Sequence, residues 1–109
     1  MNRSPLIETT RVTLAAQPGF YALVPVELPN GQFLARKTPV IAWAIETSWY
    51  EGDDPLSIVT AVAVEGLPPG YALRDPGGRI FIQGREEFSD IPALARHWQH
   101  LREAKKNNP

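Results

Sequence analysis

The 109-residue sequence contains no cysteine, and this absence excludes several kinds of chemistry at once. Disulfide bonds, thiolate nucleophiles and cysteine-ligated metals all require the missing side chain. A chain without disulfides suits a reducing compartment, so we expect a cytoplasmic protein. The domain needs no covalent staple either, because a chain of this length buries roughly two-thirds of the surface that it exposes when unfolded.

Long apolar segments and net charge of either sign are also lacking. The longest apolar run, residues 40–45, is far shorter than the roughly 20 residues of a membrane-spanning helix. The first ten residues show no apolar core of a secretion signal. A formal net charge of −1 does not draw the whole chain toward nucleic acid or anionic membranes. We therefore expect no membrane association and regard nucleic acid as an unfavoured partner.

The motifs of common catalytic sites are missing as well, including G-x-S-x-G and G-x-x-x-x-G-K. The two histidines, His97 and His100, would share one face of a helix, as two metal ligands do. A third ligand is missing unless Glu103 supplies it, and solvated positions on the helix are the simpler interpretation. We predict no catalytic residue, no metal and no cofactor.

The sequence is rich in turns, with eleven prolines and eight glycines. Short runs of Val, Ile, Ala, Tyr and Phe lie between these turns, which is typical of consecutive antiparallel strands. We predict strands at residues 11–16, 20–27, 40–47, 57–65, 71–74 and 79–83, with a further edge segment at 32–36. Such turn-punctuated strands with a lone terminal helix are typical of small bacterial and phage accessory proteins, a likeness that assigns no residue a role.

Two of the predicted strands are apolar on both faces. Both alternating sets of side chains are apolar along residues 40–45, and along 57–65 the two faces carry Ile58, Val62 and Val64 against Val59, Ala61 and Ala63. A strand of this kind is normally covered on both faces. We therefore place these two strands at the centre of the sheet. The C-terminal helix should cover one face, and a curled continuation of the sheet or a partner chain should cover the other.

A helix from Ser89 onward ends the chain, with Ser89 or Asp90 as its cap and Pro92 tolerated in its first turn. Its apolar side chains recur at helical spacing: Ile91, Leu94, Ala95, Trp98 and Leu101. The predicted fold is α+β, a curved antiparallel sheet of about six short strands that could approach a barrel, with one C-terminal amphipathic helix. We expect a single domain, 1–109, with flexible ends at 1–9 and 106–109.

The hairpin around residues 75–78 admits two registers. If the loop is 76–78, with Gly78 in a left-handed bulge position, Asp75 faces Arg79 and the opposite charges balance. If all four residues form the loop, Arg74 faces Arg79, and like charges directly opposite are unfavourable without an acidic partner. Turn preferences favour the first register, which we adopt, although facial patterning favours the second.

Under the second register, the hairpin would carry a patch for an anion or an acidic partner: Arg74, Arg79, Phe81 and Arg85. Arginines beside an aromatic ring are also the composition of a small nucleic-acid site. The net charge and the neighbouring acids Glu86 and Glu87 argue against nucleic acid.

The segment 46–55, ETSWYEGDDP, places two large aromatics among acids. Trp49 and Tyr50 can fold back to plug an open end of the sheet, or they can serve as exposed anchors for a partner. The acids that would rim such an anchor are Glu51, Asp53 and Asp54. In a third interpretation these acids pair with Arg74, Arg79 or Arg85, within the molecule or between subunits.

The leading functional hypothesis is a non-enzymatic protein-interaction module, capable of self-association as a homodimer, with Trp49 and Tyr50 as anchors. The first alternative is a small-ligand-binding barrel or a minor enzyme. Its site would lie near Tyr21, Trp43 and Tyr71, with Arg74 or Arg79 orienting an anionic group. The second alternative is weak nucleic-acid binding through the arginine hairpin.

Overall fold

The computed structural model describes residues 5–84 and 87–107. The elements in these residues are β1 (Leu6–Ala15), β2 (Tyr21–Glu27), β3 (Phe33–Pro39), β4 (Ala42–Tyr50), β5 (Leu56–Val62), β6 (Ala72–Arg74), β7 (Ile80–Phe81), β8 (Glu87–Phe88) and α1 (Ile91–Asn107). The predicted α+β class, with antiparallel strands and a C-terminal helix, is confirmed. Within the described ranges, no helix combines the length and apolar character needed to cross a membrane.

The strands form two antiparallel sheets, not one continuous sheet. The order is β1-β4-β5 in the three-stranded sheet and β3-β2-β6-β7-β8 in the five-stranded sheet, and neither closes into a barrel. The chain passes from one sheet to the other after β1, again after β3 and a third time after β5. The second crossing is held where the Val40 amide donates to the Phe20 carbonyl at 3.0 Å. β3 lies at an edge, as predicted for the segment 32–36, but it continues to Pro39 where the prediction ended it before this proline.

One face of the five-stranded sheet is covered by α1. Leu94 and Trp98 are buried against Leu23 and Ala72, and the Trp98 indole Nε1–H donates to the Gly70 carbonyl at 2.8 Å. The helix begins as predicted, because the Asp90 carboxylate accepts a hydrogen bond from the Ala93 amide at 2.8 Å. Ile91 and Leu101, at the two ends of the apolar stripe, remain exposed. The helix therefore packs mainly through its middle.

The opposite face of the five-stranded sheet meets the base of the three-stranded sheet. Ala22 and Leu73 are buried there against Val40 and Ala61. Trp43 closes this second cluster by meeting the Phe20 ring edge-on, with ring centroids 5.3 Å apart. The three-stranded sheet contributes Trp43 of β4 and Ala61 of β5 to this contact, and Ala16 and Val40 lie next to β1 and β4.

The remainder of the three-stranded sheet projects beyond both clusters. We call this part, residues 6–12, 45–50 and 56–59, the wing. Its side chains are largely exposed on both faces. The radius of gyration is 16.6 Å, against about 13 Å for a compact domain of 100 residues, and the extents are 49 × 40 × 23 Å. The projecting wing accounts for this larger radius of gyration.

The prediction that residues 40–47 and 57–65 form the covered centre of the sheet is wrong. β4 is central only within its own sheet, β5 is an edge strand, and α1 packs on the other sheet. Coverage reaches only the end of each strand near the core, at Ala44 and Ala61, while Ile58 is exposed. An apolar pattern on both faces of a strand does not indicate whether residues of the same chain pack against those faces. β1 also begins at Leu6, earlier than predicted.

The two helix leucines allow a matched test of the packing. We expect Leu94→Ala to lower the free energy of unfolding by about 2–5 kcal/mol, because it empties space in a closed cluster where Leu94 is 0% exposed. Leu101→Ala, at a position 47% exposed in the same helix, should cost less than about 1 kcal/mol. Urea titrations followed by circular dichroism measure both, and equal losses would contradict this packing.

Candidate interaction surface on the wing

Strand pairing gives the wing a core-side face, which continues one wall of the second buried cluster. Its rows, read outward from the core, are Leu14–Trp43–Ala61, Val12–Ile45–Val59 and Thr10–Thr47–Ser57. Val12 and Val59 are exposed, as is Leu14 in the row nearest the core, where only Ala61 is fully buried. In the next row, the hydroxyls of Thr47 and Ser57 lie 2.9 Å apart and form one hydrogen bond. The apolar wall of the core therefore extends one row into solvent before a polar row ends it.

The opposite face of the wing is mixed. Its rows are Thr13–Ala44–Thr60, Arg11–Glu46–Ile58 and Thr9–Ser48–Leu56. Arg11 and Glu46 form an exposed ion pair at 3.6 Å, which contributes little stability by itself. Leu56 and Ile58 are both exposed and both lie on β5. On this face the large apolar side chains are therefore concentrated along one edge strand.

Trp49 and Tyr50 occupy the last two positions of β4 and not a loop. They stand opposite Glu8 and Leu6 of β1, with their side chains on opposite faces of the sheet. Trp49 is 42% exposed, on the core-side face and beyond the polar row of Thr47. It lies about 20 Å along the strand from Trp43 at the core. Trp49 therefore does not plug the core.

The acidic residues Glu51, Asp53 and Asp54 follow directly in an exposed turn at the tip of the wing. The Glu51 amide donates to the Pro5 carbonyl at 3.0 Å, which ties the turn to the start of β1. The turn belongs to the three-stranded sheet, whereas Arg74 and Arg79 belong to the five-stranded sheet or its hairpin. The proposed pairing of these acids with Arg79 inside one molecule is not seen, because Arg79 pairs with Glu87.

The hairpin register favoured by turn preferences is confirmed. Arg74 faces Ile80, and the Asp75 amide donates to the Arg79 carbonyl at 3.0 Å, so the loop is residues 76–78. Gly78 has a φ of +89°, in the left-handed region that the bulge position requires. The Asp75 carboxylate also accepts a hydrogen bond from the Arg79 amide at 2.9 Å.

The arginines of this hairpin do not form the patch that the other register would create. Arg79 is hydrogen-bonded to Glu87, and this bond, together with the charges of Glu87 and Asp75, raises the pKa of Arg79 above its ordinary value. Phe81 is half-buried against the second cluster, and Arg74 is half-buried as well. Arg85 lies outside the described residues.

A shallow depression of about 490 Å³ lies beside the same ion pair, lined by Gly77, Gly78, Arg79, Glu87, Phe88 and Ser89. The charges that line it already balance each other within the chain. The described residues of its lining therefore offer no uncompensated charge to an ionic ligand.

The aromatics of the alternative ligand site are held in separate contacts. The Tyr21 ring lies 4.1 Å from the Lys37 ammonium nitrogen, Trp43 packs against Phe20, and the Tyr71 hydroxyl accepts a hydrogen bond from the Ala61 amide at 3.2 Å. Tyr21 shares its face of the five-stranded sheet with Leu23, under α1, while Trp43 belongs to the cluster on the other face. The three rings do not converge on one cavity.

The two histidines also have separate surroundings. His97 packs against the Phe88 ring, with ring centroids 5.0 Å apart, and His100 is exposed. Glu103, the third candidate ligand, accepts a hydrogen bond from Gln99 at 3.5 Å. Across residues 5–84 and 87–107, no group of three His, Cys, Asp or Glu side chains is placed to hold a metal ion.

No protein-family model matches this sequence, and no curated protein or solved structure is significantly similar to it. Neither a fold family nor a function is therefore transferred to this chain from another protein.

The apolar side chains of the wing other than Trp49 were not predicted as interaction residues. They are Leu6, Ile7, Val12, Leu56, Ile58 and Val59. One signal for them is present in the sequence, since the β5 segment LSIVTAV has neither charge nor proline. That signal is equally typical of a buried central strand. The position of β5 at a sheet edge, which distinguishes the two cases, depends on pairings far apart in the chain.

The hairpin turn provides a second test with an adjacent control. We expect Gly78→Ala to destabilise the fold by about 1–2 kcal/mol, because a Cβ strains the left-handed backbone although it would meet only the Arg74 guanidinium, at an ordinary 4.0 Å. Gly77→Ala should be close to neutral, since its Cβ would meet only the Asp75 carboxylate at an ordinary 3.4 Å. Thermal unfolding measures the difference, and a larger loss at Gly77 would contradict the three-residue loop.

Proposed function

We propose that this chain is a non-enzymatic protein-interaction module that binds its partner through the wing, with Trp49 and Tyr50 as anchors. The supporting observation is the set of large apolar side chains that the wing exposes: Leu6, Ile7, Val12, Trp49, Leu56, Ile58 and Val59. Monomeric proteins rarely expose contiguous apolar patches larger than a few hundred Å², and larger patches mark interaction sites. Here these side chains belong to one projecting sheet, with Val12, Val59 and Trp49 on its core-side face and Leu56 and Ile58 on the other.

Two pairs of hydroxyls in the wing lie across neighbouring strands from each other. Thr47 lies 2.9 Å from Ser57, and Thr9 lies 3.5 Å from Ser48. The Thr47–Ser57 hydrogen bond satisfies one of the two hydroxyl protons within the sheet, which lowers the cost of covering this pair. A partner that covers the wing has to accept a hydrogen bond from the remaining hydroxyl proton.

Trp49 has the surroundings of an anchor side chain. Tryptophan and tyrosine are enriched among the residues that contribute most to binding. Because Trp49 belongs to a paired strand, its backbone is already ordered, which reduces the entropy lost on binding. The carboxylates of Glu51 and Asp54 follow in the next turn and are exposed. This arrangement suits a partner with an apolar pocket and basic groups at its rim.

The anchor role is tested with the double variant Trp49→Ala, Tyr50→Ala. A tagged wild-type chain is used to isolate binding proteins from its native host, and the affinity of an identified partner is then measured by calorimetry. We expect the double variant to bind at least about thirtyfold more weakly, which is the effect of losing one strong anchor of about 2 kcal/mol.

The matched control is Leu34→Ala, a truncation at a position 55% exposed in the other sheet, which should bind like the wild type. Circular dichroism verifies that each variant is folded. A folded double variant that keeps wild-type affinity would remove Trp49 and Tyr50 as anchors. An equal loss in Leu34→Ala would place the binding surface outside the wing.

A further inference from the structure

The two edges of the three-stranded sheet differ in how they are protected. Edge strands expose unpaired backbone groups, and proteins usually guard them with charges, bulges or prolines. β1 carries Glu8 and Arg11 and has a bulge between Leu6 and Glu8. β5, with the sequence LSIVTAV, contains no charged residue and no proline, and its pairing with β4 is regular throughout. Within the part of the chain that the structure describes, no strand pairs with the outer edge of β5, so this edge is open.

The hydrogen-bond pattern identifies the backbone groups that β5 directs outward. The Val62 carbonyl accepts a hydrogen bond from the Ile41 amide at 2.9 Å, so Val62 directs its carbonyl back toward the chain segment that leads into β4. Because backbone groups alternate in direction along an antiparallel strand, even-numbered residues of β5 bond to β4, and odd-numbered residues point away from it. Ala61 agrees with this pattern, because its amide donates to the Tyr71 hydroxyl outside the sheet.

This hydroxyl leaves a short open stretch of edge. Tyr71 occupies the amide at Ala61, near one end of β5, and Pro55, which has no N–H, lies just beyond the other end. Between them, Ser57 and Val59 each direct one N–H and one C=O away from β4. Every residue from 55 to 60 is exposed. The open stretch is a short run of donors and acceptors flanked by apolar side chains.

We propose that this stretch binds a second copy of the chain. β5 pairs antiparallel with β5 of that copy across a two-fold axis at Ile58, and the two wings become one continuous sheet. The inference rests on the proposed function only in that it treats the wing as an interaction surface. It names one partner, the chain itself, and one contact, the β5 edge.

The open backbone groups select this register. With the axis at Ile58, Ser57 faces Val59 of the second copy, and the outward N–H and C=O of both residues are satisfied. Moving the pairing toward Val62 brings in Ala61, whose amide is already bonded to Tyr71. Moving it the other way brings in Pro55, which cannot donate. A two-fold interface requires such self-complementarity, and this edge supplies it.

The side chains agree with the same axis. Ile58 faces Ile58 of the second copy as a non-hydrogen-bonded pair, in which antiparallel strands bring side chains closest. Leu56 faces Thr60 of the second copy, so no charge is placed in the contact. Ile58 is 66% exposed in the single chain. A few residues of edge form a small interface, of the weak class, so dimerisation should depend on concentration.

The first experiment measures mass against concentration by light scattering. The wild-type mass should rise from 12.1 kDa toward twice that value. Ile58→Lys places two ammonium groups opposite each other and should weaken dimerisation at least about tenfold. Ile7→Lys is the matched control, since Ile7 is also 66% exposed but lies on the protected edge, and it should dimerise like the wild type.

The second experiment fixes the register with a single thiol, because the chain has no cysteine of its own. Residues in a non-hydrogen-bonded antiparallel pair have Cα atoms about 4.5 Å apart, within the range of a disulfide. Ile58→Cys should therefore form a reducible covalent dimer under mild oxidation. Thr60→Cys should not, because the proposed register separates the two thiol positions by about 13 Å along the strands.

A wild-type mass that stays at 12.1 kDa up to about 1 mM would overturn the proposal. So would a Thr60→Cys variant that cross-links as readily as Ile58→Cys, or a dimer that Ile7→Lys weakens and Ile58→Lys does not. Circular dichroism verifies folding, and reduced Ile58→Cys replaces Ile58→Lys in the mass measurement if the lysine unfolds the chain.

The two proposals fail separately. If the wild type is monomeric but the double variant Trp49→Ala, Tyr50→Ala loses its partner, the interaction module stands and the β5-paired dimer is wrong. In that case the partner's own strand becomes the candidate for the β5 edge. If the wild type forms the β5-paired dimer but the same double variant still binds the partner, the dimer stands and Trp49 and Tyr50 are not the anchors.

Discussion

The burial of β2 and β6 between two different covers is the constraint on which the rest of the fold depends. Leu23 points toward α1, and the neighbouring Leu73 points toward the base of the three-stranded sheet. Each leucine is almost fully buried. Because the five-stranded sheet uses the helix on one side and the second sheet on the other, no cover is left for the wing. The exposed apolar surface therefore follows from how the core is built.

Local features of the fold could be predicted from the sequence because they depend on neighbouring residues. The Asp90 cap, the Leu94 and Trp98 stripe, the loop at 76–78 and the edge position of β3 each follow from capping, periodicity or turn chemistry. The cap, the stripe and the loop depend on interactions that span only a few residues. The edge position of β3 was predicted differently, from a proline that cannot donate a backbone hydrogen bond. In each case, one short segment contains most of the information that decides its structure.

The division into two sheets could not be predicted, because it depends on contacts between distant segments. The crossing at Val40 is held by Phe20, and the base of the wing is held by Trp43 against the same ring. Nothing in residues 46–55 shows that β4 continues through Trp49 and Tyr50, since β1 supplies the pairing. The candidate site was found only in part for this reason. Its aromatics stood out by composition, whereas the open edge of β5 is a property of topology.

The inequality between the two edges of the wing has a consequence for assembly. A sheet with two open edges can add further copies on either side and grow as a polymer. This sheet has one blocked edge, at the charged and bulged β1, and one reactive edge, at β5. In polymer terms it is monofunctional, so a single pairing consumes its capacity for growth. Such a chain can expose an uncharged strand edge without seeding a fibril.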